Sequence, residues 1–138
     1  MASREKNTPG APARGARDGR WGERRAARHL AAKGLRVIGR NLRIAGGELD
    51  VVALDGRTLV VVEVKTSSVD TPSDPLERMS AEKIRVLNRA ALALVKSQRQ
   101  LELDGWRGDV IVVEFERGIL GWRRCRRVEW LVDYFAIG

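Results

Sequence analysis

Thiol and imidazole chemistry are almost missing from this chain of 138 residues, which has one cysteine and one histidine. Cys125 alone excludes an internal disulfide and any cysteine-rich metal site, and it fits a reducing compartment, so a cytoplasmic location is expected. His29 stands between Arg28 and Leu30 with no partner motif and reads as a surface or boundary residue rather than a ligand. No apolar run approaches the roughly 20 residues that span a bilayer, so no membrane partner is expected. The first residues carry charge but no apolar core segment, so a signal peptide is not expected. No internal repeat is visible.

Positive charge is abundant. Lysine and arginine number 26 against 18 acids, a formal net charge of +8, which favours a polyanionic partner, nucleic acid first. Residues 1–19 are rich in Gly, Ala, Pro and Arg without periodicity and read as a disordered basic tail. Residues 20–138 suit one domain with a real core.

Within that domain the acids gather at one place. Gly47-Glu48-Leu49-Asp50 is followed by Val62-Glu63-Val64-Lys65, placing carboxylates and a lysine on two otherwise apolar segments. Leu49–Leu54 and Thr58–Lys65 read as strands, and Asp55-Gly56 between them signals a tight hairpin turn. With that turn, Val52 faces Leu59, Asp50 faces Val61 and Glu48 faces Glu63. Because side chains alternate along a strand, Glu48, Asp50, Glu63 and Lys65 are then expected on one face. Asp50 and Glu63 become diagonal neighbours at roughly 7 Å, a gap that suits one divalent ion between two carboxylates. A cross-strand ion pair on a half-exposed hairpin would explain the same residues. Against that, Leu59–Val62 is a continuous apolar run with Val64 after it, as in a central strand covered on both faces. Charge at the end of such a strand needs a partner or a task.

A helix is expected from about Arg20 to Lys33, closed by Gly34, with Glu23, Ala26, Ala27 and Leu30 on one stripe. Leu35–Ile38 should be a short strand leading to Arg40, Asn41 and Arg43, where the arginines suit phosphate contact or salt bridging. Thr66–Met79 reads as a long loop. A second helix is expected from about Ser80 to Gln98, with Lys83 near its start as a candidate anion contact. Asp109–Phe115 and Val128–Phe135 look like later strands. Between them Arg117, Arg123, Arg124, Arg126 and Arg127 cluster with Trp122, which suits a phosphate backbone or an unstacked base, or simply a solvated hairpin tip. The order predicts an α/β fold with a mixed sheet of about five strands flanked by helices.

Taken together, Gly22-Glu23, Ala26-Ala27, Leu30, Gly34, Asn41, Arg43, Gly47 to Asp50, Val62 to Thr66, Lys83, Leu87, Ala90-Ala91, Leu94, Arg107 and Asp109-Val110 resemble the bacterial YraN-like family, also called uncharacterised protein family 0102. The resemblance covers roughly residues 20–137. That family is similar in fold to the PD-(D/E)xK nucleases, including archaeal Holliday junction resolvases, so it implies a restriction-endonuclease-like core. It implies Asp50, Glu63 and Lys65 as a nuclease centre, with Glu23 as an added helix carboxylate. The sequence departs from the family pattern twice. Ser67 stands where an arginine usually follows Val-Lys-Thr, and Gly108 replaces an aromatic between Arg107 and Asp109.

The expected chemistry is metal-dependent cleavage of phosphodiester bonds in structured DNA. Asp50 and Glu63, with the Val64 carbonyl, would bind Mg²⁺ or Mn²⁺ through hard oxygen ligands, and Glu48 or Glu23 would hold a second ion or its water. Lys65 would orient or deprotonate the attacking water. Arg43, Lys83, Arg107, Arg123 and Arg124 are the candidate nucleic-acid contacts. Two alternatives remain: a module of the same fold that binds without cutting, and an adaptor in a DNA-repair or RNA-handling complex. A homodimer would suit a four-way junction but is left open.

Overall fold

The computed structural model describes residues 14–71 and 73–138. Along the chain these form α1 (Arg14–Ala32), β1 (Arg36–Ile44), β2 (Gly47–Asp55), β3 (Thr58–Ser68), α2 (Ala81–Ser97), β4 (Gly105–Arg117) and β5 (Arg123–Phe135), with one 3₁₀ turn, Pro75–Arg78, before α2. The strands make one five-stranded sheet in the order β1-β2-β3-β4-β5. Every neighbouring pair is antiparallel except β3 and β4, which run parallel, with α2 in the connection between them. The fold is therefore α/β, a mixed sheet between two helices, consistent with a restriction-endonuclease-like core.

Each helix covers one face. Ala26 and Leu30 of α1 pack on Val51, Ala53, Val60, Val62, Ile111 and Val113. Leu87, Ala90, Ala91 and Leu94 of α2 pack on Val52, Leu54, Leu59, Val61, Val110 and Val112. Leu59–Val62 are thus shared out alternately to the two layers, and all are fully buried. Each fully buried Val or Leu contributes about 1.5–3 kcal/mol relative to exposure, which makes β3 the mechanical centre of the molecule.

The helix ends follow local chemistry. The Ser80 side chain accepts from the Lys83 amide and starts α2 within a residue of the expected position. Gly34, at φ +97°, closes α1 in a conformation that glycine adopts without strain, while Leu35 donates back to the Leu30 carbonyl. The start of α1 differs from expectation. It begins at Arg14, so residues 14–19, expected in the tail, are helical. The cause is tertiary: Asp18 accepts from Arg117 and, at 2.7 Å, from Arg123, which pins this first part of the helix to the β4–β5 hairpin. The rest of the expected tail, residues 1–13, lies outside the described residues.

The β2–β3 turn also differs. Asp55 pairs with Thr58 and Leu54 with Leu59, so the loop is Gly56-Arg57 rather than Asp55-Gly56. Gly56 takes φ +60°, and Arg57 is held outside the hairpin by its Nε bond to the Glu102 carbonyl at 2.9 Å and its ion pair with Asp104. The shift moves the register by one residue on each strand and keeps the inward and outward parity. It changes what faces Asp50, as the site shows.

Two glycines mark close approaches. A β-carbon on Gly22 would fall 1.9 Å from Thr66 Oγ1, so α1 rests directly on β3 there. A β-carbon on Gly108 would collide with the Phe135 ring, so β4 and the end of β5 meet closely there.

Candidate active site at the open end of the β2–β3 hairpin

β2 and β3 are paired from the turn as far as Val51 and Val62. One step further the hairpin opens like a fork, with Asp50 on one prong and Glu63 on the other. Two observations locate the cause. Gly47 and Leu49 face α2, whereas Val51 faces α1, so the two-residue alternation breaks at Asp50. Asn41 of β1, a residue beside the Leu42–Leu49 pair, has φ +51°, so β1 bends at the same level. The start of β2 therefore peels away from β3 and stays paired with β1.

At the fork a side chain replaces the missing ladder bond. Asp50 Oδ2 accepts from the Val64 amide at 2.8 Å. The Asp50 carboxyl is pushed up to about 8, first by burial and then by the neighbouring charge of Glu63, against the lowering effect of the Val64 amide. Glu63 faces α2 and is buried. Its Oε2 meets Lys65 Nζ at 3.1 Å and Lys83 Nζ at 3.4 Å, while its Oε1 is buried with no hydrogen-bond partner. Lys65 is itself only 8% exposed, an unusual place for an ammonium.

Glu48 and Glu23 form a second acidic group on the α1 side of the fork. Since the alternation breaks at Asp50, Glu48 does not share the face of Glu63 as the unbroken strand predicted. It lies with Glu23, Asn41 and Arg43 around a cleft of about 450 Å³. Burial pushes the Glu23 carboxyl up, and the charges of Glu48 and Glu63 add to this against the Asn41 amide. Glu23 Oε1 is buried without a partner. Arg43 sits 3.7 Å from Glu48 with most of its side chain in solvent.

The fork thus brings together Asp50, Glu63, Lys65 and Lys83, with Glu23, Glu48 and Arg43 on its other side. Among the described residues no three carboxylate, imidazole or thiol groups converge closely enough to hold an ion between them. An ion at the fork would rest on two carboxylates and be completed by main-chain oxygen or water, as hard divalent cations accept. The unpartnered oxygens of Glu63 and Glu23 are donors of the right chemistry for it.

The remaining candidates lie elsewhere. Arg107 is on the far half of β4, where Nε meets Asp109 Oδ1 at 3.1 Å and Nη1 meets Asp55 at 3.2 Å, with its side chain 18% exposed. Asp109, fully buried, also accepts from Trp130 Nε1 and the Asp133 amide, both at 2.8 Å. Arg107 is therefore committed to a buried structural network rather than offered to phosphate. Arg123 is held by Asp18. Arg124 is exposed and makes no ion pair among the described residues.

Arg78 was missed in the sequence. It reaches from the 3₁₀ turn to the Thr66 carbonyl at 3.4 Å and lines a cleft of about 390 Å³ with Lys65, Ser67 and Ser68. It brings a guanidinium to the end of β3 beside Ser67. No local signal in the loop marked it.

A kinked acidic strand beside Glu-x-Lys, at the open end of a mixed sheet between two helices, defines the class: an α/β core with an acidic fork, consistent with a restriction-endonuclease-like fold. Comparison with known proteins then places the chain. It belongs to uncharacterised protein family UPF0102, whose model matches residues 22–113. It is 42% identical to the UPF0102 protein of Symbiobacterium thermophilum over 113 residues, covering 82% of this chain and 93% of that protein. It is 40% identical to the UPF0102 protein of an Arthrobacter species over 95 residues, covering 69% of this chain and 80% of that one.

Proposed function

We propose that the fork is a metal-dependent phosphodiesterase site acting on structured DNA. The observation that carries this reading is the pairing of two buried carboxylates, Asp50 and Glu63, where Asp50 is pushed up first by burial and then by the charge of Glu63, and Glu63 keeps one oxygen buried and unpartnered. Packing alone does not favour like charges at such a place. Divalent cations neutralise them.

Mg²⁺ or Mn²⁺ at Asp50 and Glu63, with the Val64 carbonyl as a further donor, would supply Lewis acidity toward the scissile phosphate. The chain's own residues do the rest. Asp50, anchored by the Val64 amide, holds its carboxyl at the fork in one orientation. Lys65 is fixed against Glu63 and presents its ammonium to the attacking water and a non-bridging oxygen. Lys83, from the first turn of α2, adds a second positive group at the same carboxylate and offsets phosphate charge. Glu23 and Glu48 orient water on the α1 side, and Arg43 steers the backbone toward them.

One observation favours a second reading. Glu63 Oε2 already has two ammonium partners, so Glu63, Lys65 and Lys83 also make sense as a structural ion cluster in a protein that binds DNA without cutting it. Titration calorimetry with Mg²⁺ and Mn²⁺ separates the two. The nuclease reading expects binding by the wild type and none by Asp50→Ala/Glu63→Ala, together with Mg²⁺-dependent products from branched or nicked duplexes. Wild-type protein that binds neither ion, even with duplex present, would leave only the binding module.

A further inference from the structure

The nucleic-acid contacts expected from the sequence are largely used inside the molecule. Arg107 and Arg123 are in ion pairs, as are Arg117, Arg126 and Arg127 near the β4–β5 turn. Among the described residues, α1 carries a run of exposed arginines without ion-pair partners.

Arg17, Arg20, Arg24 and Arg28 recur at spacings of three and four along this helix, and all are exposed. At about 100° per residue they fall within an arc of about 80°, on the side opposite buried Ala26. None of them has an ion-pair partner among the described residues. Like charges at these spacings oppose helix formation, so local stability does not account for the stripe. Successive arginines stand about 4.5–6 Å apart along the axis, so the four present a continuous row of guanidinium groups about 16 Å long.

The stripe is continuous with the fork. Arg20, at its edge, lines the same cleft as Glu23, Asn41, Arg43 and Glu48. A backbone lying along the outer face of α1 therefore reaches the α1 side of the carboxylates by way of Arg20 and Arg43.

We propose that Arg17, Arg20, Arg24 and Arg28 form the track that holds the phosphate backbone of duplex DNA and feeds it into the cleft beside Glu23. This rests on the nuclease reading only for what happens at the end of the track. The binding itself is a separate property.

The test uses the full chain with Arg17→Gln, Arg20→Gln, Arg24→Gln and Arg28→Gln combined, because glutamine keeps helix propensity close to that of arginine. Circular dichroism and thermal melting should show an intact helix, with Tm unchanged or higher. Duplex affinity is then measured by fluorescence anisotropy between 50 and 200 mM salt. The track predicts at least a tenfold loss of affinity at low salt and a slope of log K against log salt that falls by about 2–4, near 0.9 for each phosphate contact removed. An Arg124→Gln variant should change the slope by no more than about 1. The same titration on Asp50→Ala/Glu63→Ala, with the stripe intact, keeps the two proposals apart. Stripe-dependent binding without any cleavage by wild type leaves the track and removes the nuclease. Cleavage with unchanged affinity and slope in the quadruple variant does the reverse. No wild-type binding to duplex at 50 mM salt overturns the track, as does stripe-dependent binding to phosphatidylserine vesicles with duplex binding unaffected.

Discussion

Asp50→Asn should make this protein more stable, and only above the normal range of carboxylate titration. The Asp50 carboxyl titrates near 8 in the folded chain against an ordinary value of 3.8. Between those two values the native state holds a proton that the unfolded state has released, so stability falls as pH rises through the window. Four units at about 1.4 kcal/mol each set a ceiling of about 6 kcal/mol. Relaxation and water entry around the fork should roughly halve that, leaving about 2–3 kcal/mol at pH 8. Asparagine keeps the acceptor for the Val64 amide and carries no charge, so it mimics the neutral acid at every pH. In a chain of this length the gain corresponds to about 6–10 °C in Tm. Thermal melts followed by tryptophan fluorescence, in buffers with EDTA at pH 4, 6 and 8, would measure it. The melts of wild type and variant should coincide at pH 4 and separate increasingly toward pH 8. A gap independent of pH, or a variant less stable than wild type at pH 8, would refute the burial and like-charge account of the fork.

Three further outcomes follow from other parts of the molecule. Lys65→Met should lower any metal-dependent cleavage by about 10²–10⁴ while calorimetric Mg²⁺ binding persists, since the ligands are untouched; unchanged turnover would exclude Lys65 from the chemistry. Asp109→Ala leaves Arg107, Trp130 Nε1 and the Asp133 amide without their acceptor, and should cost about 3–5 kcal/mol in urea unfolding; a loss below about 1 kcal/mol would mean that the network is not structural. Gly108→Ala forces a methyl against the Phe135 ring and should destabilise by about 1–3 kcal/mol, with part of the loss recovered by Phe135→Leu; a neutral substitution would show that the ring moves aside freely.

Much of the architecture could be read from patterns that act locally. The apolar run of β3 announced a strand buried on both faces, and Ser80 announced the start of α2. The adjacency of Asp50 and Glu63 was also visible, because a hairpin slip that preserves parity leaves both near the open end. What escaped depended on contacts distant in sequence. The early start of α1 depends on Asp18 meeting Arg117 and Arg123, about a hundred positions away. The turn moved because Arg57 is held by the segment before β4. Glu48 changed sides because Asn41 and Asp50 bend two strands together, and strict alternation has no term for such a bend. Arg107 looked like a surface cation because its partners Asp55 and Asp109 face it only once the sheet has formed.

The bend at Asp50 has a consequence for how such a chain changes over generations. Residue 50 belongs to neither hydrophobic layer, so its side chain can be exchanged without repacking either helix against the sheet. Replacement by asparagine needs one base change in the codon and is expected to raise stability at neutral pH. If Asp50→Asn stabilises as expected, a lineage in which residue 50 carries no task would slide toward asparagine, and one that retains the aspartate would do so against the preference of its own fold.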